Sequence, residues 1–98
     1  MAKLVLRQEA INDLSEIWEY TFHKWSENQA DNYYESIKIG CSEIADGSSS
    51  GKPYDSISKH LLGYKIGKHI IFYTQNENEV EVIRILHEMM NFGSHIKK

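Results

Sequence analysis

The sequence predicts an α+β domain of two layers, in which an antiparallel helix hairpin packs on a small, mostly antiparallel sheet. Two long stretches in the first half repeat apolar residues every three or four positions, as one face of a helix requires. The second half is rich in Ile, Val, Phe and Tyr, which favour strands. Because most strands follow both helices, the helices are expected together on one face of the sheet. The predicted order is strand, helix, helix, strand, strand, strand.

Residues 2–6 predict a short strand, and residues 8–24 predict the first helix. The predicted core-facing stripe of that helix comprises Ile11, Leu14, Ile17, Trp18, Thr21, Phe22 and Trp25. The acidic residues between them are expected on the solvent side; they are Glu9, Asp13, Glu16 and Glu19. At the expected start of the helix, Arg7 and Gln8 offer no preferred capping side chain, so the first turn is expected to fray.

A second helix is expected to begin at Ser26, because Ser26 with Gln29 three positions later is a capping-box pattern. It is expected to end near Gly47, since glycine adopts the left-handed conformation that closes many helices. Its apolar positions are Ala30, Tyr33, Tyr34, Ile37, Cys41 and Ile44. The two helices follow each other almost directly, so they must form an antiparallel hairpin. Residues 48–53, which contain the only proline, are predicted as a flexible connection, and Tyr54 and Ile57 are expected to anchor the loop that continues to Lys59.

Three strands are predicted in the second half, at residues 62–66, 69–75 and 80–87. Gly67 and Lys68 form the first turn between them, and a polar stretch from Gln75 to Glu79 forms the second. Turns this short join neighbouring strands, so the three strands are expected to form an antiparallel meander.

Length and composition predict a single domain over residues 1–98 and an ordinary globular chain, 41% hydrophobic and 26% charged. The N-terminal apolar run is too short for a signal peptide, and the longest apolar run, Ile70 to Tyr73, is too short to span a membrane. The single cysteine, Cys41, cannot form an internal disulfide and is expected in the core. These observations predict a cytoplasmic protein that does not associate with membranes.

The net charge of −3 is unevenly distributed. Residues 1–46 carry four Lys or Arg against nine Asp or Glu, a balance of −5, and residues 47–98 carry seven against five, a balance of +2. An acidic chain is poorly suited to non-specific nucleic-acid binding. Residues 59–69 contain no acid, which leaves room for one anion-contacting surface; the alternative is that Lys65 and Lys68 simply keep a strand and its turn hydrated.

The chain resembles ParE-type toxins of the ParE/RelE superfamily of bacterial toxin–antitoxin systems, from about Leu4 to His87 and in the same order of elements. The pieces that carry the likeness are Asp13-Leu14…Ile17-Trp18-Glu19-Tyr20, Trp25…Gln29-Ala30…Tyr33, the segment from Gly63-Tyr64 to Tyr73, and Val82-Ile83-Arg84-Ile85-Leu86-His87. Each piece alone is weak, and none is a catalytic motif. Spread over nearly the whole chain, they identify it as a member of this group.

The resemblance implies the toxin of a type II toxin–antitoxin pair, which inhibits DNA gyrase by binding, traps it on cleaved DNA and blocks replication. It also implies neutralisation by a cognate antitoxin in a toxin–antitoxin hetero-oligomer. Under this hypothesis no catalytic residues, cofactor, metal or direct nucleic-acid contact is expected. A sequence pI near 5.9 fits a protein target better than RNA.

Two alternatives remain open. The first is a RelE-like, ribosome-dependent mRNA endoribonuclease, which needs a general base, a general acid and cations for the phosphate; its candidates here are Lys65, His69, Arg84 and His87. Arg84 and His87 are an odd number of residues apart, so a strand points them to opposite faces unless a bulge or the strand end intervenes. Arg84 also has the structural alternative of pairing with a helix carboxylate. The second is a degenerate toxin that only binds antitoxin.

Candidate contact residues lie on the hairpin and after the last strand. Antitoxin binding is expected at Trp18, Tyr20 and Tyr33. Target binding is expected at His87, Met89, Met90 and Phe92, with packing onto the sheet as the alternative for the last three. His87-Glu88 begins a zinc-protease pattern, but position 91 is Asn91, so no metal site is predicted.

Overall fold

The computed structural model describes residues 2–96 and confirms the α+β prediction. The elements are β1 (Lys3–Leu6), α1 (Gln8–Lys24), α2 (Glu27–Asp46), β2 (Lys52–Pro53), β3 (Leu62–Ile66), β4 (His69–Gln75), β5 (Glu79–His87) and α3 (Phe92–His95). Both long helices and the three long strands match the predicted ranges to within one or two residues. Between residues 2 and 96, no helix combines the length and the apolar character needed to cross a bilayer.

The five strands form one sheet in the order β1-β5-β4-β3-β2. The predicted meander of β3, β4 and β5 is antiparallel throughout. β1 is the exception, because it pairs in parallel with the first half of β5, from Lys3 opposite Glu79 to Leu6 opposite Val82. A register shift between Phe72 and Tyr73 of β4 adds one residue to β5 at this point.

The helix ends follow the predicted capping chemistry. α1 begins after Arg7, whose guanidinium pairs with Glu81 of β5 at 3.0 Å instead of capping the helix. α2 begins at Ser26, whose hydroxyl accepts a hydrogen bond from the Gln29 N–H at 3.1 Å. It ends at Gly47 in the left-handed conformation, with φ of +87°.

The prediction of a flexible connection over residues 48–53 is wrong at Lys52 and Pro53, which form the short edge strand β2 beside β3. Proline is compatible with an edge strand because its missing N–H faces away from the ladder. The N–H of Gly51 donates to the Tyr73 hydroxyl at 2.7 Å, which ties the connection to the middle of the sheet. The local sequence did not indicate this pairing, because the partners of Lys52 and Pro53 are Gly63 and Leu62, in the next strand along the chain.

Both faces of the sheet are covered, which differs from a simple two-layer arrangement. The helix side holds the main core cluster: Ala10, Leu14, Ile37, Cys41, Ile44, Ala45, Ile71, Tyr73, Val80, Val82 and Ile85. The opposite face holds a second cluster: Leu61, Ile70, Phe72, Ile83, Leu86 and Ile96. The loop around Tyr54 and Ile57 covers this second cluster together with the C-terminal residues, so the central strands are buried on both sides.

The residues after β5 form one helical turn that depends on packing, since a segment this short is not stable alone. The Phe92 ring packs edge-on against Phe72, with ring centroids 4.9 Å apart, and against Tyr54 at 6.1 Å. Ile96 is only 5% exposed in the second cluster. Met89, by contrast, is 83% exposed.

The predicted solvent and core sides of α1 are wrong at both ends of the helix. Asp13, expected on the solvent side, is 9% exposed, whereas Ile11 and Phe22 are exposed and Trp25 is 65% exposed. The buried residues of α1 are Ala10, Asp13 and Leu14. Asp13 can occupy this buried position because its carboxylate is fully paired there, as described below.

Candidate functional site

Tyr33 of α2 joins the helix hairpin to the turn between β3 and β4. Its hydroxyl lies 3.2 Å from the Ile66 carbonyl oxygen, 3.1 Å from the Lys68 N–H and 2.6 Å from Nδ1 of His69. Gly67 makes the approach possible: its φ is +56°, and a Cβ there would lie 2.8 Å from a Tyr33 ring carbon. The Tyr33 hydroxyl therefore holds this turn against α2.

His69 and His87 are direct cross-strand partners at the adjacent end of the sheet. Their ring centroids are 5.2 Å apart and the rings are nearly perpendicular. Burial, and secondarily the neighbouring His87, lowers the pKa of His69 to about 4, so this imidazole is neutral at neutral pH. Nδ1 of His87 accepts the Met89 N–H at 3.1 Å, which leaves its Nε2 as the protonated nitrogen of the neutral ring.

An open cleft of about 690 Å³, here called the Tyr33 cleft, contains this cluster and extends to the tip of the hairpin. It is lined by Tyr20, Thr21, Lys24, Trp25, Gln29, Asn32, Tyr33, Ser36, Gly67, Lys68, His69 and His87. Every formally charged residue in this lining is a lysine, although the chain as a whole is acidic. The cleft therefore combines positive charge with aromatic surface.

Lys65 lies on the opposite side of the sheet from His69 and His87. Its neighbours in β3, Leu62, Tyr64 and Ile66, pack toward the helices, so alternation directs Lys65 the other way. There its ammonium pairs with the Glu88 carboxylate at 2.8 Å, and this hydrogen bond lowers the pKa of Glu88. Lys65 is exposed and Glu88 is partly exposed, so the pair contributes little to stability.

Arg84 is engaged in a structural pair with Asp13 of α1, the alternative considered above. Its Nε and Nη2 donate to the two oxygens of Asp13 at 2.7 and 2.8 Å, and its Nη1 donates to the His95 carbonyl oxygen at 2.8 Å. The hydrogen bond to Asp13 raises the pKa of Arg84 further. Asp13 also accepts the Ile85 N–H at 3.0 Å, on the edge of β5 beyond the point where β1 ends at Leu6.

The four ribonuclease candidates are consequently not brought together. His69 and His87 share one site, while Lys65 lies on the other side of the sheet paired with Glu88, and the Arg84 guanidinium is bound to Asp13 of α1 at the edge of β5. The structure instead adds Tyr33 and Lys68 to the two histidines. Sequence reasoning missed this grouping, and its one available signal was the Gly67-Lys68 turn, which closes tightly enough for a ring to pack over it. Within residues 2–96, no three His, Cys, Asp or Glu side chains are placed to share a metal ion.

The residues expected to bind antitoxin divide between two clefts. Tyr20 and Tyr33 line the Tyr33 cleft, and Tyr20 is 59% exposed. Trp18 stacks on Phe22 and donates its indole N–H to Asp31 at 2.9 Å. It lines a second opening of about 490 Å³, the Trp18 cleft, whose other lining residues are Ser15, Glu19, Asp31, Tyr34 and Glu35. The two clefts of the hairpin therefore have opposite charge.

The residues expected to bind a target also divide into two groups. Met89 and Met90 are exposed at the turn that follows His87, and the Met90 N–H donates to the His87 carbonyl oxygen at 3.0 Å. Phe92 packs onto the second cluster. The methionine turn is therefore an exposed surface, while Phe92 serves the packing of the tail.

Comparison with known proteins agrees with the resemblance seen in the sequence. The family model for the ParE toxin of the type II toxin–antitoxin system parDE matches residues 4–92. Toxin ParE1 of Caulobacter vibrioides is 31% identical over 91 residues, covering 93% of this chain and 94% of that protein. Toxin ParE1 of Mycobacterium tuberculosis is 28% identical over 91 residues, covering 92% and 93%.

A solved structure described as the chromosomal ParDE toxin–antitoxin system from P. aeruginosa shares the fold. Its TM-score is 0.76, and the match covers 89% of this chain and 96% of that chain at 14% sequence identity. Identity this low supports the fold alone. The family model and the Caulobacter relative both span nearly the whole chain, so this chain belongs to the ParE toxin family of type II toxin–antitoxin systems.

Proposed function

We propose that this ParE-family toxin stops growth by binding DNA gyrase, trapping it on cleaved DNA, and that a cognate antitoxin neutralises it. The observation that carries the non-catalytic mechanism is the separation of the ribonuclease candidates. Arg84 is neutralised by Asp13, and Lys65 is paired with Glu88. Cleavage of RNA would require a cation that stabilises the charged phosphate next to His69 and His87. Neither Lys65 nor Arg84 is free to do so.

The net charge of the chain also supports a protein target over RNA. A net charge of −3 is unfavourable for sustained contact with RNA, whose affinity for proteins depends largely on phosphate neutralisation. A gyrase subunit offers protein surface, to which an exposed apolar turn can bind.

The target-binding surface that we propose is the turn formed by His87, Met89 and Met90. Met side chains are flexible and polarisable, and they adapt to the contours of a partner. Both methionines are exposed, and the hydrogen bonds from Met89 and Met90 to His87 define the shape of the turn. Phe92 supports this surface from beneath by anchoring the tail to the sheet.

A gyrase assay with purified toxin tests the proposal. We expect supercoiling to be inhibited and cleaved DNA to accumulate, and we expect pre-incubation with the antitoxin to prevent both. The double substitution Met89→Ser and Met90→Ser should weaken inhibition, because it removes the apolar contacts. Ile39→Ser is the matched control, since Ile39 is an exposed apolar residue of α2 outside the proposed surface. Unimpaired supercoiling in the presence of folded toxin would exclude gyrase as the target.

Growth experiments test the same proposal in cells. Induction of the toxin alone should produce filamentous cells and a DNA-damage response while translation continues at first. Co-expression of the adjoining small open reading frame, as the antitoxin, should restore growth. Normal growth with folded toxin and no antitoxin would favour the degenerate module that only binds antitoxin.

A ribonuclease remains the second candidate, on the strength of one observation. His69, His87 and the Tyr33 hydroxyl are gathered beside Lys68 in one cleft, and such groups can transfer protons. This function predicts cuts within translated mRNAs minutes after induction, with supercoiling unaffected. His87→Ala should then reduce cutting by roughly 10²–10⁴-fold. Arg84→Ala would act through stability, because the Arg84 guanidinium is held by Asp13 and by the His95 carbonyl oxygen.

A further inference from the structure

We propose that the Tyr33 cleft binds an acidic segment of the antitoxin, with carboxylates at Lys24 and Lys68 and an apolar side chain against Tyr20 and Trp25. The inference rests on the proposed function in one respect, that an antitoxin is the partner. It adds the chemical class of the segment that binds there and the part of the hairpin that it recognises.

Charge is the first argument for an acidic occupant. The chain has 14 Asp and Glu against 11 Lys and Arg, yet the described residues that line the cleft include no acid. Glu88, the nearby acid of the β5 end, directs its carboxylate to Lys65 at 2.8 Å on the other side of the sheet. With burial lowering the pKa of His69 to about 4, the positive charge of the cleft resides on Lys24 and Lys68. Local charge opposite to that of the whole molecule selects a short acidic segment.

Exposed aromatic surface is the second argument. Tyr20 is 59% and Trp25 is 65% exposed at the tip of the hairpin, and the Lys24 ammonium lies 5.5 Å from the centre of the Tyr20 ring. Large aromatic side chains beside a cation are typical anchors at protein interfaces. The remaining lining supplies hydroxyl and amide groups that can hydrogen-bond a peptide backbone, on Thr21, Gln29, Asn32 and Ser36.

The floor of the cleft is already organised for binding. The hydroxyl of Tyr33 holds the β3–β4 turn, which carries Lys68, against α2. A partner therefore does not have to order this turn when it binds, which lowers the entropic cost of association. The volume of about 690 Å³ accommodates several peptide side chains, whereas a long polyanion would also meet the acidic remainder of the surface.

The Trp18 cleft determines which side of the hairpin an acidic segment can use. It is lined by Glu19, Asp31 and Glu35, which would repel the same carboxylates. An acidic segment is thus attracted by the lysines of the Tyr33 cleft and repelled by the acids of the Trp18 cleft.

The test measures the Kd of purified toxin for the antitoxin expressed from the adjoining open reading frame, at low and at moderate salt. We expect Lys24→Glu with Lys68→Glu to weaken binding by about tenfold or more and to reduce its dependence on salt. The matched control is Lys3→Glu with Lys59→Glu, which reverses two exposed lysines outside the cleft and should change Kd by less than about threefold. Circular dichroism and melting curves verify that both variants remain folded.

Three outcomes would overturn the proposal. The first is an equal Kd for the charge-reversed and control variants. The second is self-association of the toxin alone that the cleft substitutions abolish, since the occupant would then be a second copy. The third is tight binding of single-stranded RNA that the same substitutions abolish. Gyrase inhibition by wild-type toxin without antitoxin is a separate measurement, so the proposed function can fail while the antitoxin result stands, and the reverse also holds.

Discussion

Asp13 and Arg84, which are 71 residues apart, form the polar centre where α1, the end of β5 and the C-terminal turn meet. The guanidinium donates two hydrogen bonds to the carboxylate and a third to the His95 carbonyl oxygen. The carboxylate also accepts the buried N–H of Ile85. The N–H of β5 that β1 leaves unpaired is thus satisfied by a side chain, and the tail is held by the same pair.

We predict that Arg84→Met lowers the free energy of unfolding by about 2–4 kcal/mol, because it leaves the largely buried Asp13 carboxylate without its counter-charge. Adding Asp13→Asn should recover part of the loss, since no uncompensated charge then remains. Urea denaturation measures both effects.

Arg7→Met is the matched control for that experiment. It breaks the pair between Arg7 and Glu81, whose side chains are 43% and 32% exposed, and should cost less than about 1 kcal/mol. A comparable loss from the two arginine substitutions would contradict a special role for the buried pair.

The stability of the protein should fall as the pH drops from about 6.5 toward 4, and His69 should account for part of this fall. The pKa of His69 is lowered from 6.5 to about 4 in the folded state, chiefly by burial. The unfolded chain therefore binds this proton first, and stability is lost across that window and retained above it. Urea denaturation at about pH 7.5 and about pH 5 should show a smaller loss for His69→Asn than for the wild type. An identical loss in both proteins would exclude His69 as a contributor.

Substitutions in the C-terminal tail should affect stability differently at buried and at exposed positions. Ile96→Ala is expected to lower the free energy of unfolding by about 2–4 kcal/mol, because Ile96 is buried in the second cluster. Met89→Ala should change it by less than about 0.5 kcal/mol, because Met89 is exposed. Thermal or urea unfolding of the two variants checks the difference. Equal effects would mean that the C-terminal turn does not pack as described.

Cys41 should react very slowly with alkylating reagents in the folded protein. The thiol is buried in α2, and burial raises its pKa to about 11, so little reactive thiolate forms at neutral pH. Iodoacetamide labelling should become fast in urea and approach the rate for free cysteine. Rapid labelling of the native protein would show that the hairpin opens readily.

The sequence by itself determined both long helices, the capping at Ser26 and Gly47, and the three long strands. These features depend on contacts between residues a few positions apart, or on apolar periodicity, and both can be read from the order of residues. The family resemblance was visible for the same reason, because it is carried by the pattern of those elements. The charge balance of the two halves was likewise available from the sequence.

Only the tertiary structure decided how the site is assembled. Tyr33 and His69 are 36 residues apart, and they meet because the Gly67 turn passes beneath α2. The periodicity of apolar residues assigned Asp13 to the solvent side, because an acid is hydrophilic. It could not show that Arg84 and the Ile85 N–H at the edge of β5 would pair with the Asp13 carboxylate. Alternation correctly separated Arg84 from His87, but the partner that each residue finds depends on register and on where β1 ends. Local interactions determine which helices and strands form. The packing of those elements determines which residues distant in sequence come into contact.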